Sequence, residues 1–109
     1  AGLAVVMPAW MEYVLPHDPM RFARFAAEVF GCEMDYAHPE LTAQRGIACL
    51  CSFFTSLGMP TTFTQIGARA EDIPAMVAHR AEKPGGFPFG GFVSIGPKEM
   101  EEILHIAAR

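Results

Sequence analysis

The first fifteen residues are apolar on nearly every side. The run from Leu3 to Leu15 contains one charge, Glu12, and an unbroken apolar run of this length favours a buried helix over a strand. Pro8 removes one backbone hydrogen bond and clashes with the carbonyl of Ala4, so we expect a kink or a broken start there. A helix that is apolar all round must be covered on all sides, either by other helices of the chain or by missing partners.

The second predicted helix has the clearest boundaries. Asp18 is a favourable N-cap, Pro19 suits the first helical position, and Gly31 provides the stop at the C-terminal end. Between these boundaries the apolar residues follow the spacing of a helix with one buried face. They are Phe22, Phe25, Ala26, Val29 and Phe30.

Three further helices follow along the chain. One begins at Pro39 and ends at Gly58, and a shorter one spans about Glu71 to Arg80. The last begins at Pro97. Their apolar faces comprise, in chain order, Ala43, Ile47, Leu50, Phe54 and Leu57; Ile73, Met76 and Val77; and Met100, Ile103, Leu104 and Ala107. The pattern therefore predicts an all-α bundle of about five helices.

The segment between the last two helices has an unusual composition. Residues 83–92 contain four glycines and two prolines, which exclude regular structure. Three phenylalanines stand among them, and a solvated linker would not carry three exposed aromatic rings. We expect this Gly/Pro/Phe-rich loop before the last helix to bury its rings against another part of the protein.

Composition narrows the class of protein. The 109 residues suit a single domain, and 51% of them are hydrophobic while 18% are charged. This balance indicates a chain that forms homo-oligomers or is a piece of a larger protein. The net charge of −4, with Lys and Arg scattered singly, argues against a nucleic-acid or anionic-membrane partner. Residues 1–15 lack a basic leader and are too short to span a bilayer, so we expect neither a signal peptide nor a membrane anchor.

The three cysteines are expected to be reduced. Cys32, Cys49 and Cys51 are odd in number and have no disulfide-framework spacing, which favours free thiols in the cytoplasm. Zinc sites usually separate their cysteines by at least two residues, and Cys49 and Cys51 are separated by one. Small buried or half-buried thiols are the preferred interpretation.

The remaining side chains predict no catalytic, cofactor-binding or metal site within this chain. No two of the four histidines share a helix at the spacing of a metal pair, and no glycine-rich loop joins a strand to a helix as in a phosphate site. We interpret these histidines as surface or capping residues: His17, His38, His79 and His105.

Several stretches resemble, in the same order, the iron-containing alcohol dehydrogenase family, and in particular its butanol-dehydrogenase-like branch. The opening run 1–14, with Pro-Ala-Trp-Met-Glu-Tyr, and the Ser-Leu-Gly-Met-Pro segment are the most specific. The stretches that carry the resemblance are residues 1–14, 17–25, 53–61, 66–67, 71–73, 90–93 and 102–108.

The resemblance implies that the cofactor-binding residues of the enzyme lie outside this chain. In the family an N-terminal α/β domain binds NAD(P), and the C-terminal helical domain completes a divalent-metal site of one Asp and three His. Ala1 and Gly2 resemble the last two positions of a His-Gly-x-Gly signature that contains the final ligand. The chain would therefore begin just past that ligand, and none of its histidines matches one. Iron (or zinc) and NAD(P) are implied for the full-length enzyme, and the fragment alone is expected to be inactive.

The resemblance also assigns a part of the substrate pocket. In the family the irregular loop before the last helix approaches the catalytic pocket, so Phe87, Phe89 and Phe92 are the candidate lining of the alcohol site. The alternative for each ring is that it fills the core of this bundle. An opened domain interface also predicts self-association through residues 1–15 or this loop.

Two other functions stay open. The chain resembles, more distantly, the tail of a glycerol dehydrogenase or a maleylacetate reductase, although its opening run favours the alcohol branch. Alternatively, it is a free-standing helical bundle that binds a peptide or an apolar ligand through its seven Met and nine Phe.

Overall fold

Helices make up the regular architecture of the protein. The computed structural model describes residues 3–83, 85–88, 90 and 92–109. Within these residues the α-helices are α1 (Leu3–Val14), α2 (Pro19–Phe30), α3 (Pro39–Ser56), α4 (Ile73–Glu82) and α5 (Pro97–Ala107). The predicted all-α bundle of about five helices is confirmed. None of the described helices has the length and apolar character needed to cross a bilayer.

Pro8 does not break α1. The helix runs from Leu3 to Val14 with Pro8 inside it, so the expected broken start is not found. Only the hydrogen bond to the Ala4 carbonyl is lost, and Ala4, Val5 and Ala9 beside the proline are buried. Their packing compensates for the missing bond, because most helical stability in proteins comes from tertiary contacts.

The local boundary signals of α2 act as predicted. The Asp18 carboxylate accepts a hydrogen bond from the backbone N–H of Arg21 at 3.3 Å, which satisfies one of the free donors at the helix start. Gly31 ends the helix in the left-handed conformation with φ 68°, which a residue without a side chain adopts at little cost.

The α2 and α3 helices form the most extensive helix pair among the described residues. Their backbones approach closely at Gly46, where an added Cβ would overlap the Cβ of Ala26. Thr42, one turn before Gly46, is fully buried, and its hydroxyl donates to the Glu33 carbonyl and accepts from the Asp35 N–H. The loop after α2 is thereby fastened to α3.

The apolar faces extend less far than the spacing predicts. Val29 is 61% exposed and Leu57 is 59% exposed, so the assignment of both residues to the buried faces is wrong. Leu57 follows the last residue of α3. Val29 lies two turns beyond Phe22, past the reach of the Trp10 and Phe92 rings that pack on Phe22.

The α1 helix lies between α3 and α5, and α4 packs against α5. Two hydrogen bonds join the two ends of the chain. Tyr13 Oη donates to Glu102 Oε2 at 2.7 Å, and Arg109 Nη2 donates to Glu12 Oε1 at 2.8 Å. Together these contacts hold α5 along one side of α1.

We expect Gly46→Ala to destabilise the fold. Alanine normally stabilises a helix relative to glycine, but here the new methyl group overlaps Ala26, and overpacking of this kind costs about 1–3 kcal/mol. Chemical denaturation measures the loss in the free energy of unfolding. The double variant Ala26→Gly/Gly46→Ala removes the overlapping methyl group and should recover part of the loss; a double variant with strictly additive losses would contradict the close approach.

The hydrogen bond to Glu102, followed by desolvation and the negative charges of Glu102 and Glu99, raises the pKa of Tyr13 from 10.0 to about 12. The neutral phenol is the favoured form in the fold. Its stabilising contribution should therefore be complete below pH 10.0 and lost as the pH rises towards about 12. Absorbance titration of tyrosinate in a Tyr36→Phe background follows Tyr13 alone, since the chain has two tyrosines. Glu102→Gln should lower the midpoint, and an unchanged midpoint would contradict the assignment.

Candidate functional site

One side of α1 is open and apolar. Leu3 is 63% exposed, and Val6, Met7 and Trp10 on the same helix are half-buried. A groove of about 320 Å³ runs between this side and α5. We call it the α1–α5 groove, and its lining residues are Leu3, Val6, Met7, Trp10, Met100, Ile103 and Leu104.

A second groove lies on the other side of Trp10. It has a volume of about 250 Å³ and shares Met7 and Trp10 with the first. We call it the Trp10–Phe92 groove, and its lining residues are Met7, Trp10, Met11, Arg21, Phe22, Phe25 and Phe92. Concave surfaces with mostly apolar linings are the usual form of sites for small organic ligands.

Three aromatic rings build the wall of the second groove. The ring centroids of Trp10 and Phe22 are 6.2 Å apart, those of Trp10 and Phe92 are 6.5 Å apart, and those of Phe22 and Phe92 are 5.8 Å apart. All three pairs are edge-to-face, a favourable arrangement of ring quadrupoles. The rings come from α1, α2 and the loop before α5, so the wall depends on the packing of all three elements.

Arg21 is the charged residue in this lining. Its guanidinium carbon lies 4.4 Å from the centroid of the Phe92 ring, a distance at which a cation is attracted to the ring face. Phe92 is thus held between Arg21 on one side and the Trp10 and Phe22 rings on the others. These contacts fix the position of the ring at the edge of the groove.

The predicted pocket residues have different positions. Phe92 lines the Trp10–Phe92 groove and also packs on buried Phe22. Phe87 is half-buried and is not part of either groove lining. It lies near the end of α4, since the carbonyl of the preceding Gly86 accepts a hydrogen bond from Arg80 Nε at 3.2 Å. Phe89 lies outside the described residues. An alcohol-pocket role for the three rings stays a prediction.

The sequence interpretation did not single out Met7, Trp10 or Arg21 as pocket residues, although Met7 and Trp10 lie in the run 1–15 that it expects to associate. Trp10 was counted within the apolar run and Arg21 as a scattered charge. The signal that points to them is the run itself: a chain with five helices has too few partners to cover a helix that is apolar on every side. The side left open marks the candidate surface.

The described residues contain no group of three or more His, Cys, Asp or Glu side chains arranged to hold a metal ion. All four histidines are exposed. His38 Nδ1 lies 3.5 Å from Glu40, and His105 Nε2 lies 3.8 Å from Glu101. These are surface pairs at helix ends, and they do not form a donor set for iron.

The family comparison covers nearly the whole chain. Residues 1–108 match the model of the C-terminal part of the Fe-containing alcohol dehydrogenase family. A probable NADH-dependent butanol dehydrogenase of Bacillus subtilis is 33% identical over 103 residues, which are 94% of this chain and 26% of that protein. The NADH-dependent butanol dehydrogenase A of Clostridium acetobutylicum is 28% identical over 106 residues, again 26% of its length.

A solved structure shares the fold. The crystal structure of the NADH-dependent butanol dehydrogenase A of Thermotoga maritima superposes with a TM-score of 0.85 at 33% identity. The match covers 99% of this chain and 28% of that one. The chain therefore spans about a quarter of the length of the relatives that it matches, at the C-terminal part that the family model describes.

Proposed function

Because the chain belongs to the Fe-containing alcohol dehydrogenase family, we propose that residues 1–109 are one C-terminal domain of a longer NAD(P)-linked enzyme. The enzyme interconverts a primary alcohol and its aldehyde. The observation that carries the proposal is that 94–96% of this chain matches two butanol dehydrogenases over 26% of the length of each. The butanol dehydrogenase activity of these relatives supports the alcohol branch over a glycerol dehydrogenase or a maleylacetate reductase.

The chain contributes shape and burial to this enzyme. Its two grooves offer methyl, methylene and aromatic surface but no acid, base or nucleophile, apart from the guanidinium of Arg21. Such a surface accommodates the alkyl part of an alcohol and excludes water from it. On the family resemblance, we assign the metal ligands and the NAD(P)-binding residues to the preceding part of the enzyme.

The preceding nucleotide-binding domain is the proposed partner of the open side of α1. Leu3, at the start of this helix, lines the α1–α5 groove and is 63% exposed, which leaves apolar surface for that domain to cover. The 109-residue chain alone should self-associate through the same surface and should be inactive. We expect the complete enzyme to be a cytoplasmic homo-oligomer, because the apolar composition favours association and the three cysteines are free.

A second function uses the same surface. A free-standing bundle of this shape would hold an apolar peptide in the α1–α5 groove, whose lining is apolar throughout. An amphipathic helix laid into a groove is a common mode of peptide recognition. Alcohol oxidation by the complete protein separates the two functions, since a peptide-binding module has no such activity.

The sharpest test of the alcohol-site role is Phe92→Ala in the complete enzyme. Loss of this ring widens the Trp10–Phe92 groove, and the removal of apolar contacts from a pocket changes selectivity by about tenfold or more. We expect kcat/KM for short primary alcohols to fall by about tenfold, with a smaller loss for longer ones that fill the space. Steady-state kinetics over a series of chain lengths measures the shift.

The matched control is Phe53→Ala. Phe53 is an α3 phenylalanine that is 49% exposed and contacts the Phe54 ring, and it is not among the residues that line either groove. This variant should keep the activity profile of the parent enzyme. Phe92→Ala with unchanged kcat/KM for short and long alcohols, in a protein that retains its helical circular dichroism, would overturn the role of Phe92.

A further inference from the structure

Trp10 lies between the two grooves. The α1–α5 groove has a volume of about 320 Å³ and the Trp10–Phe92 groove about 250 Å³, and the residues that line both are Met7 and Trp10. These two residues are three positions apart on α1, so their side chains are neighbours on one face of the helix. The Trp10 indole and the Met7 side chain therefore form the partition between the two spaces.

Neighbouring rings hold the indole in this position. The Trp10 ring lies edge-to-face against Phe22, at 6.2 Å between centroids, and against Phe92, at 6.5 Å. Phe22 is buried, and the guanidinium of Arg21 covers the Phe92 ring at 4.4 Å. Met7 has no such ring partner, and an unbranched thioether side chain adapts easily to its surroundings. The indole is thus the rigid part of the partition.

The size of the Trp10–Phe92 groove suits a short alkyl chain. Its volume of about 250 Å³ is below the roughly 300–1,000 Å³ of sites for drug-sized ligands. Joined to the α1–α5 groove, the same space would lie within that range. The indole separates the two grooves, and so it decides how much apolar space one ligand can reach.

We infer that Trp10 sets the chain-length limit of the proposed alcohol site and restricts it to short primary alcohols. The inference rests on the proposed function and adds the residue that ends the alkyl pocket. A longer chain would have to displace the indole from Phe22 and Phe92 or leave its last carbons in water. One methylene in an apolar pocket changes selectivity about 10–200-fold, so a fixed end wall gives a steep limit.

The space beyond the indole is able to accept an alkyl chain. The side chains that line the α1–α5 groove are apolar throughout, and Ile103 and Leu104 among them are buried. The most exposed member is Leu3, at the part of the groove where the domain contact is proposed. Removal of the Trp10 indole would therefore connect the alkyl pocket with a second apolar space between α1 and α5.

Trp10→Ala in the complete enzyme tests the inference. We expect the ratio of kcat/KM for octan-1-ol to kcat/KM for butan-1-ol to rise at least about tenfold, with a gain in the octan-1-ol value itself. A merely damaged enzyme would lose activity on both alcohols in the same proportion. Trp10→Phe keeps most of the wall and should change the ratio little. Steady-state kinetics with the two alcohols measures both variants.

Val6 provides the matched control on the same helix. It lines the α1–α5 groove and not the Trp10–Phe92 groove. With the indole in place, Val6→Ala enlarges a space that the alcohol does not reach, so the ratio should stay unchanged. The double variant Val6→Phe/Trp10→Ala refills the space beyond the partition, and it should reverse most of the gain on octan-1-ol.

The result that would overturn the inference is an active Trp10→Ala enzyme with the ratio of the parent. Such a result leaves the proposed function intact, whereas a parent enzyme that oxidises neither alcohol contradicts that function itself. Binding gives an answer without turnover: octan-1-ol should raise the Tm of complete Trp10→Ala more than that of the parent, and equal shifts would count against the inference. If circular dichroism shows that Trp10→Ala is unfolded, Met7→Ala decides, since it opens the same partition and must raise the ratio in the same direction.

Discussion

A helix that is apolar on every side has to be covered on every side, and the arrangement of this protein depends on how α1 meets that requirement. Ala4, Val14 and Met11 are buried against the rest of the bundle. The α3 helix covers one side of α1, and α5, fastened by the Tyr13–Glu102 hydrogen bond, covers another. The third side carries Leu3, Val6, Met7 and Trp10, which stay partly or largely exposed in the chain.

The incomplete cover of α1 connects the fold to the function. Apolar surface that remains exposed in a small domain usually marks a contact with a ligand or with another domain. In this protein the exposed side opens into two grooves that meet at Trp10. In the proposed function this surface is used twice, once against the preceding domain and once to exclude water from the alkyl part of an alcohol. The grooves are suited to both uses, because they meet along a single helix.

The boundaries of the helices could be predicted from the sequence because their signals are local. Asp18, Pro19 and Gly31 set the ends of α2 through hydrogen bonds and backbone angles within a few residues. Burial was predicted less well, because it depends on partners distant in the chain. Val29 and Leu57 have the right spacing but extend past the residues that would cover them.

The candidate site was also predicted incompletely, because it too depends on residues distant in the chain. The composition of the Gly/Pro/Phe-rich loop was enough to predict that its rings are buried. The contact of Phe92 with Trp10 and Arg21, however, joins three elements that are separate in the chain. No local pattern encodes such a contact.

We propose that another domain covers the open side of α1, and solvent footprinting of the complete protein tests this cover most directly. Leu3, Val29 and Leu57 are 63%, 61% and 59% exposed in this chain, so a carbene label that reacts with any accessible side chain should modify them to similar extents when the chain is dilute enough to be monomeric. In the complete protein we predict strong protection of Leu3, with Met7 and Trp10, and normal labelling of Val29 and Leu57. Equal labelling of Leu3 and Leu57 there would contradict the account, because the side of α1 assigned to the domain contact would still be open to water.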